Sequence, residues 1–152
     1  MTGAAPDMVK TDTSRLVLDA SIALRWCFGD GGVAEIAKAD TVLEAILDGA
    51  QVLVPPVWPL EVGNVIVRAE AAGALTRRRS VAIIIELRGM AITVSDCASH
   101  RALTDTLGIA ALHGLTTYDG SYLELAAHKG MPLATLDEKL AQTARAAGIS
   151  VL

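Results

Sequence analysis

Aromatic side chains are scarce in this chain: one Phe, two Tyr and two Trp, against an apolar fraction of 52%. The core must therefore be filled by Val, Ile, Leu and Ala, the usual packing of a parallel sheet covered by helices on both faces. Cysteine is nearly absent as well. Cys27 and Cys97 make neither a disulfide framework nor a metal cluster and read as reduced, partly buried thiols. The three histidines, His100, His113 and His128, lack any HxxxH-like spacing, which argues against zinc. No uncharged apolar run approaches the roughly 18–20 residues of a membrane span. The start of the chain has no basic-then-apolar signal segment. A soluble cytoplasmic protein with no membrane role is expected. A basic excess is missing too: the net charge of −4 speaks against a broad electrostatic nucleic-acid binder. It leaves room for a nuclease whose acidic centre is neutralised by metal ions.

At 152 residues the chain is most simply one domain with a proper core. Residues 1–14 carry no periodicity and read as a flexible leader, within which Met8 is an alternative start; residues 15–152 form the domain. From there, short apolar runs alternate with helical patterns. The strands expected are "RLVLD", "QVLVP", "AITVS", "PLATL" and a terminal "ISVL". Between them lie helical stretches: "IALRWC", "VAEIAKADTVLEAILDG" stopped by Gly49, "WPLEVGNVIVRAEAAG" and "TRRRSVAIIIELRG" with Thr76 as N-cap. "SHRALTDTLGIAALHG" reads as one helix broken at Gly114. "TTYDGSYLELAAHKG" follows, with Thr116 and Asp119 at capping-box spacing, and "DEKLAQTARAAG" is the last helix. Strand alternating with helix means parallel strands and right-handed crossovers. The fold class is α/β, a three-layer α/β/α arrangement around a mostly parallel sheet of about five strands.

Four carboxylates sit oddly in this pattern. Asp19 closes an oily strand, Glu61 lies between Leu60 and Val62, and Asp119 and Asp137 open helices. Ligands of open α/β sheets bind outside the carboxyl ends of the strands, and all four acids fall at strand ends or helix starts. Helix capping explains Asp119 or Asp137 taken singly. It does not explain Asp19, since a carboxylate closing a buried strand needs a partner. Two carboxylates about 4 Å apart repel by roughly 4 kcal/mol at an effective dielectric near 20. A cluster is tolerable when cations sit between its members or some members are protonated. Hard oxygen ligands without Cys or His select Mg²⁺, with Mn²⁺ as substitute. Such a centre suits phosphodiester hydrolysis. Ser21, Asn64 and Thr135 are placed to support it: Ser21 two residues after Asp19, Asn64 one turn from Glu61 on a face continued by Arg68, and Thr135 two residues before Asp137 and on the same side of an extended strand. Ser21 also reads as N-cap of the "IALRWC" helix.

The stretches "LVLDASIALRW", "VPPVWPLEVGNVIVRAEAAGAL" and "LTTYDGSYLELAAHKGMPLATLDEKLAQTARAAG" resemble the PIN-domain ribonucleases, specifically the VapC toxins of toxin–antitoxin pairs. The resemblance covers Arg15 to Leu152 and implies a PIN-like fold. It implies that Asp19, Glu61, Asp119 and Asp137 are the catalytic quartet holding Mg²⁺, with Asp19 and Asp119 closest to the metal. It implies small polar supports at Ser21, Asn64 and Thr135. It further implies a homodimeric endoribonuclease that cuts structured RNA such as transfer RNA, and a cognate antitoxin that blocks it. Two features depart from the family: the longer leader, and Gly120 where a helix former is commoner.

RNA contact is assigned to Arg25, near Asp19, and to the cluster Arg77-Arg78-Arg79. The run Val81–Ile85 is too oily for an exposed helix and belongs in the core or under a partner; Trp26 and Trp58 read as core packing. A haloacid-dehalogenase-like phosphatase would want a second Asp where Ser21 stands. "GDGG" at 29–32 has neither dinucleotide nor P-loop spacing. The remaining alternative is a catalytically silent PIN-like module that binds RNA or protein.

Overall fold

The first strand is buried along its whole apolar length. Arg15–Leu18 forms β1, and Leu16, Val17 and Leu18 are sealed from solvent. Successive side chains of a strand point to opposite faces, so both faces of the sheet are covered. The computed structural model describes residues 11–96 and 99–152; most of the expected leader, with Met8, and Cys97 lie outside the described residues.

After β1 come α1 (Ala20–Phe28), α2 (Val33–Leu47), β2 (Gln51–Val54), α3 (Trp58–Ala71), α4 (Arg77–Gly89) and β3 (Ile92–Val94). Next are α5 (Ser99–Arg101), a π-helical turn (Ala102–Thr106), α6 (Leu107–His113), α7 (Thr117–Lys129), β4 (Leu133–Ala134) and α8 (Glu138–Ala146). The four strands are parallel in the order β3-β2-β1-β4. This is the expected α/β layered fold with a smaller sheet. The "ISVL" segment does not form a fifth strand: Val151 meets Leu133 through one isolated bridge. The short β4, two residues where "PLATL" suggests five, leaves only that point of attachment.

Local chemistry explains most element ends. Thr76 accepts the Arg79 N–H at 3.2 Å and starts α4; Thr116 accepts the Asp119 N–H at 3.1 Å and starts α7. The stretch before Gly114 is not one uniform helix, because the π-helical turn interrupts it. Helix α7 packs closely against this turn. A Cβ on Gly120 would stand 3.1 Å from both the Thr106 carbonyl oxygen and the Ala110 Cβ. The two segments touch backbone to backbone there, and glycine is what permits it.

Strands β2 and β3 lie on one side of β1, and β4 on the other. The winding direction therefore reverses between β1 and β4, the place where open α/β sheets bind their ligands.

Candidate active site

Asp19 follows β1 directly and stands at the N-cap position of α1, yet its carboxylate makes no cap hydrogen bond. Both recorded donors reach one oxygen. Ser21 Oγ donates to Oδ2 at 2.5 Å and Thr135 Oγ1 at 2.7 Å. Ser21 is thus a brace for Asp19 rather than the cap of α1, and it also accepts the Leu136 N–H at 2.9 Å. Thr135, fully buried just past β4, accepts the Asp137 N–H at 3.0 Å as well. The ends of β1 and β4 are stitched together on either side of the reversal. Asp19 itself is only 7% exposed.

The other acids surround this point. Glu61 lies in the first turn of α3, and the hydroxyl of Tyr122 donates to its Oε2. Tyr122 is fully buried and was missed by sequence reasoning; the available signal was a tyrosine one helical turn after Asp119 in a chain poor in aromatics. Asp119 is half-buried in the first turn of α7. Asp137 is exposed and caps α8, its Oδ1 accepting the Leu140 N–H at 2.8 Å. Asn64 is exposed on α3, and among the described residues no hydrogen bond ties it to Glu61.

Burial holds the Asp19 carboxyl above the usual carboxylate range; Ser21 and Thr135 pull it down, while the charges of Asp119 and Asp137 push it up. Glu61 is also raised, by burial first and then by Asp19 and Asp119 against the Tyr122 hydrogen bond. Asp119 is raised by burial and by Asp137, with Thr116 and Lys139 opposing. The Tyr122 hydroxyl is pushed up by burial and by the charge of Asp19. The charges of Asp119 and Asp137 bear on Asp19, those of Asp19 and Asp119 on Glu61, and that of Asp137 on Asp119, so like-charge repulsion adds to burial.

Among the described residues, no three His, Cys, Asp or Glu side chains close into a ready-made metal cage. Mg²⁺ needs no such cage, since it keeps several waters and takes one or two carboxylates directly. The donor set, all oxygen and net negative, fits that ion.

Three of the four basic candidates are in ion pairs. Arg25 donates to the Asp30 backbone and carboxylate and pairs with Glu35 at 3.3 Å. Arg77 pairs with Glu70 and Arg79 with Glu86, while Arg78 is exposed. Trp58 is buried, and Trp26 donates to the Ala39 carbonyl at 2.8 Å; both pack inside. The Cys27 thiol is half-buried and pushed up to about 11, by burial first. In α4, Ile83 is buried, whereas Val81, Ile84 and Ile85 are exposed.

The PIN domain family model matches residues 16–146. The chain belongs to the PIN-domain family. Two solved structures share this PIN fold. PAE2754 from Pyrobaculum aerophilum is 20% identical, with 88% of this chain and 87% of that one covered at a TM-score of 0.60. FitAcB from Neisseria gonorrhoeae is 17% identical, with 90% and 96% covered at a TM-score of 0.58. At such identities the likeness is one of fold. No curated protein matches the chain in sequence. No described helix of this PIN domain is long and apolar enough to cross a membrane.

Proposed function

We propose that this PIN domain is a Mg²⁺-dependent endoribonuclease, the toxin of a toxin–antitoxin pair, held silent by a cognate antitoxin. The observation that carries the reading is the nearly sealed Asp19 carboxylate, braced through one oxygen by Ser21 and Thr135 and pressed by the charges of Asp119 and Asp137. A buried carboxylate among like charges is costly unless a cation or proton compensates it.

Asp19 and Asp119 would hold the ion most closely, with Glu61 and Asp137 reaching it through water. When bound, Mg²⁺ supplies positive charge beside the phosphate and an activated water for in-line displacement. The chain supplies orientation. Ser21 and Thr135 fix Oδ2 of Asp19 so that Oδ1 is left for other partners, and Tyr122 fixes Glu61. Mn²⁺ substitutes for Mg²⁺ on the same oxygens.

The exposed Val81, Ile84 and Ile85 of α4 form an apolar stripe of the kind that marks a protein interface. The antitoxin or a second copy in a homodimer covers it. One observation favours the alternative reading, a silent module that binds RNA or protein: the carboxylates do not close into a three-ligand cage among the described residues. The two readings separate on purified, partner-free protein incubated with total RNA. Discrete fragments in Mg²⁺ and none in EDTA support the nuclease; RNA left intact in both Mg²⁺ and Mn²⁺ contradicts it.

A further inference from the structure

Helix α7 serves two places at once. Tyr122 on one face meets Glu61, while Tyr118, Ser121 and Glu124 line a separate cavity of about 350 Å³ on the adjoining flank. The connection from β2 to α3, which leads to Glu61, supplies Pro55 and Pro56 to that cavity, and the π-helical turn supplies Leu103 and Thr106. With Ser95 just past β3 also in its lining, the cavity lies beyond the carboxyl ends of β2 and β3, the same end of the sheet as Asp19, and none of the four acids lines it. π-Helical turns concentrate at functional sites, and here one forms a wall.

Most of the lining is apolar, but two buried polar groups belong to it. Thr106 is 3% exposed, and its Oγ1 has no hydrogen-bond partner among the described residues. Glu124 is buried as well. Arg101 Nε stands 3.2 Å from Glu124 Oε1 without an aligned hydrogen bond. The Thr106 hydroxyl is thus the buried polar group left without a partner among the described residues, and the Glu124 carboxylate, ion-paired with Arg101 through Oε1, has lone pairs left for a ligand with a donor edge. At the rim, Tyr118 is 61% exposed, a ring free to stack.

We infer that this cavity seats one unstacked nucleobase of the RNA, a base bearing an exocyclic amino group, beside the bond cut at the carboxylates. The inference rests on the ribonuclease reading. A base has apolar faces and a polar edge, which matches apolar walls closed by a polar pair. Carboxylates accept from base amino groups, and aromatic side chains stack unpaired bases in single-stranded RNA. Uracil offers only carbonyls and one ring N–H, so its edge opposes Glu124. Guanine, adenine and cytosine each offer the amino group.

The test uses the full chain in EDTA, so that metal and cleavage play no part, with nucleoside monophosphates titrated by NMR. GMP, AMP and CMP should shift resonances of Leu103, Thr106 and Tyr118 and bind about tenfold more tightly than UMP. Tyr118→Ala, an exposed change that leaves the fold intact, should weaken them about fivefold or more. Thr106→Val should weaken them without altering stacking on Tyr118. Equal binding of all four nucleotides, or none at the cavity, overturns the inference; with Mg²⁺ cleavage persisting, the nuclease reading survives that result. Binding at the cavity by a chain that cuts no RNA overturns the ribonuclease reading and the placement beside a cut bond. Concentration-dependent burial of Tyr118 by a second copy overturns it as well.

Discussion

Thr135 Oγ1 donates a 2.7 Å hydrogen bond to Asp19 Oδ2, joining the ends of β4 and β1. The same hydroxyl accepts the Asp137 N–H at 3.0 Å. One buried hydroxyl thus aims the most buried of the four acids and anchors the segment that carries another.

Thr135→Val keeps the shape and removes the hydroxyl. It leaves the Asp137 N–H without its acceptor, which costs about 1–2 kcal/mol. The misaimed Asp19 should lower metal affinity or RNA cleavage by roughly 10–100-fold, the usual effect of losing a ligand's support. Urea unfolding and a Mn²⁺ titration check the two halves; unchanged metal affinity would contradict the role given to Thr135.

Asp19 ties stability to pH. Its folded carboxyl sits above the ordinary value of 3.8, so the native state binds more protons than the unfolded state in the interval between the two. Metal-free stability is then full below the ordinary value and declines as pH rises through that interval. Glu61 and Asp119 are raised in the same direction. Asp19→Asn removes the buried charge and should stabilise the metal-free protein at neutral pH by about 1 kcal/mol, a rise of about 2–4 °C in Tm. Calorimetry across pH in EDTA measures it. A variant less stable than wild type at pH 7 would contradict the electrostatic picture.

Tyr122→Phe deletes only the hydroxyl that holds Glu61. The ring still fills its buried position, so the fold should persist while cleavage falls by roughly 10–100-fold. Circular dichroism beside a cleavage assay separates the two effects, and wild-type activity would show that Glu61 needs no such hold.

Gly120→Ala sets two effects against each other. Helix propensity favours alanine by about 1 kcal/mol, but the added Cβ would lie 3.1 Å from a backbone carbonyl and from Ala110. Backbone cannot retreat cheaply, so overpacking of about 1–3 kcal/mol should win. A more stable variant in urea unfolding would contradict the close approach of α7 to the π-helical turn.

How much of this was legible in advance follows from the range of each interaction. The Thr76 and Thr116 caps, the Gly114 stop and β1 were legible because neighbours in sequence decide them. The π-helical turn was not, since it packs against Gly120 of another helix, a contact that the local sequence does not show. The length of β4 depends on its partners in the sheet, so "PLATL" overstated it. The four acids could be placed at strand ends and helix starts from pattern alone. Their supports could not all be so placed. Asn64 shares a helix with Glu61 and still points to solvent, while the residue that grips Glu61 is Tyr122, 61 positions away. Arg25 is near Asp19 in the chain, but Asp30 and Glu35 capture it.

The central claim is that the four carboxylates form one metal site that cuts RNA. Wild type and Asp19→Asn, purified free of any partner, are incubated with total RNA in Mg²⁺ and in EDTA. The account predicts discrete fragments from wild type in Mg²⁺ alone and none from the folded variant. Equal cleavage by Asp19→Asn at matched purity, or cleavage indifferent to EDTA, would contradict it.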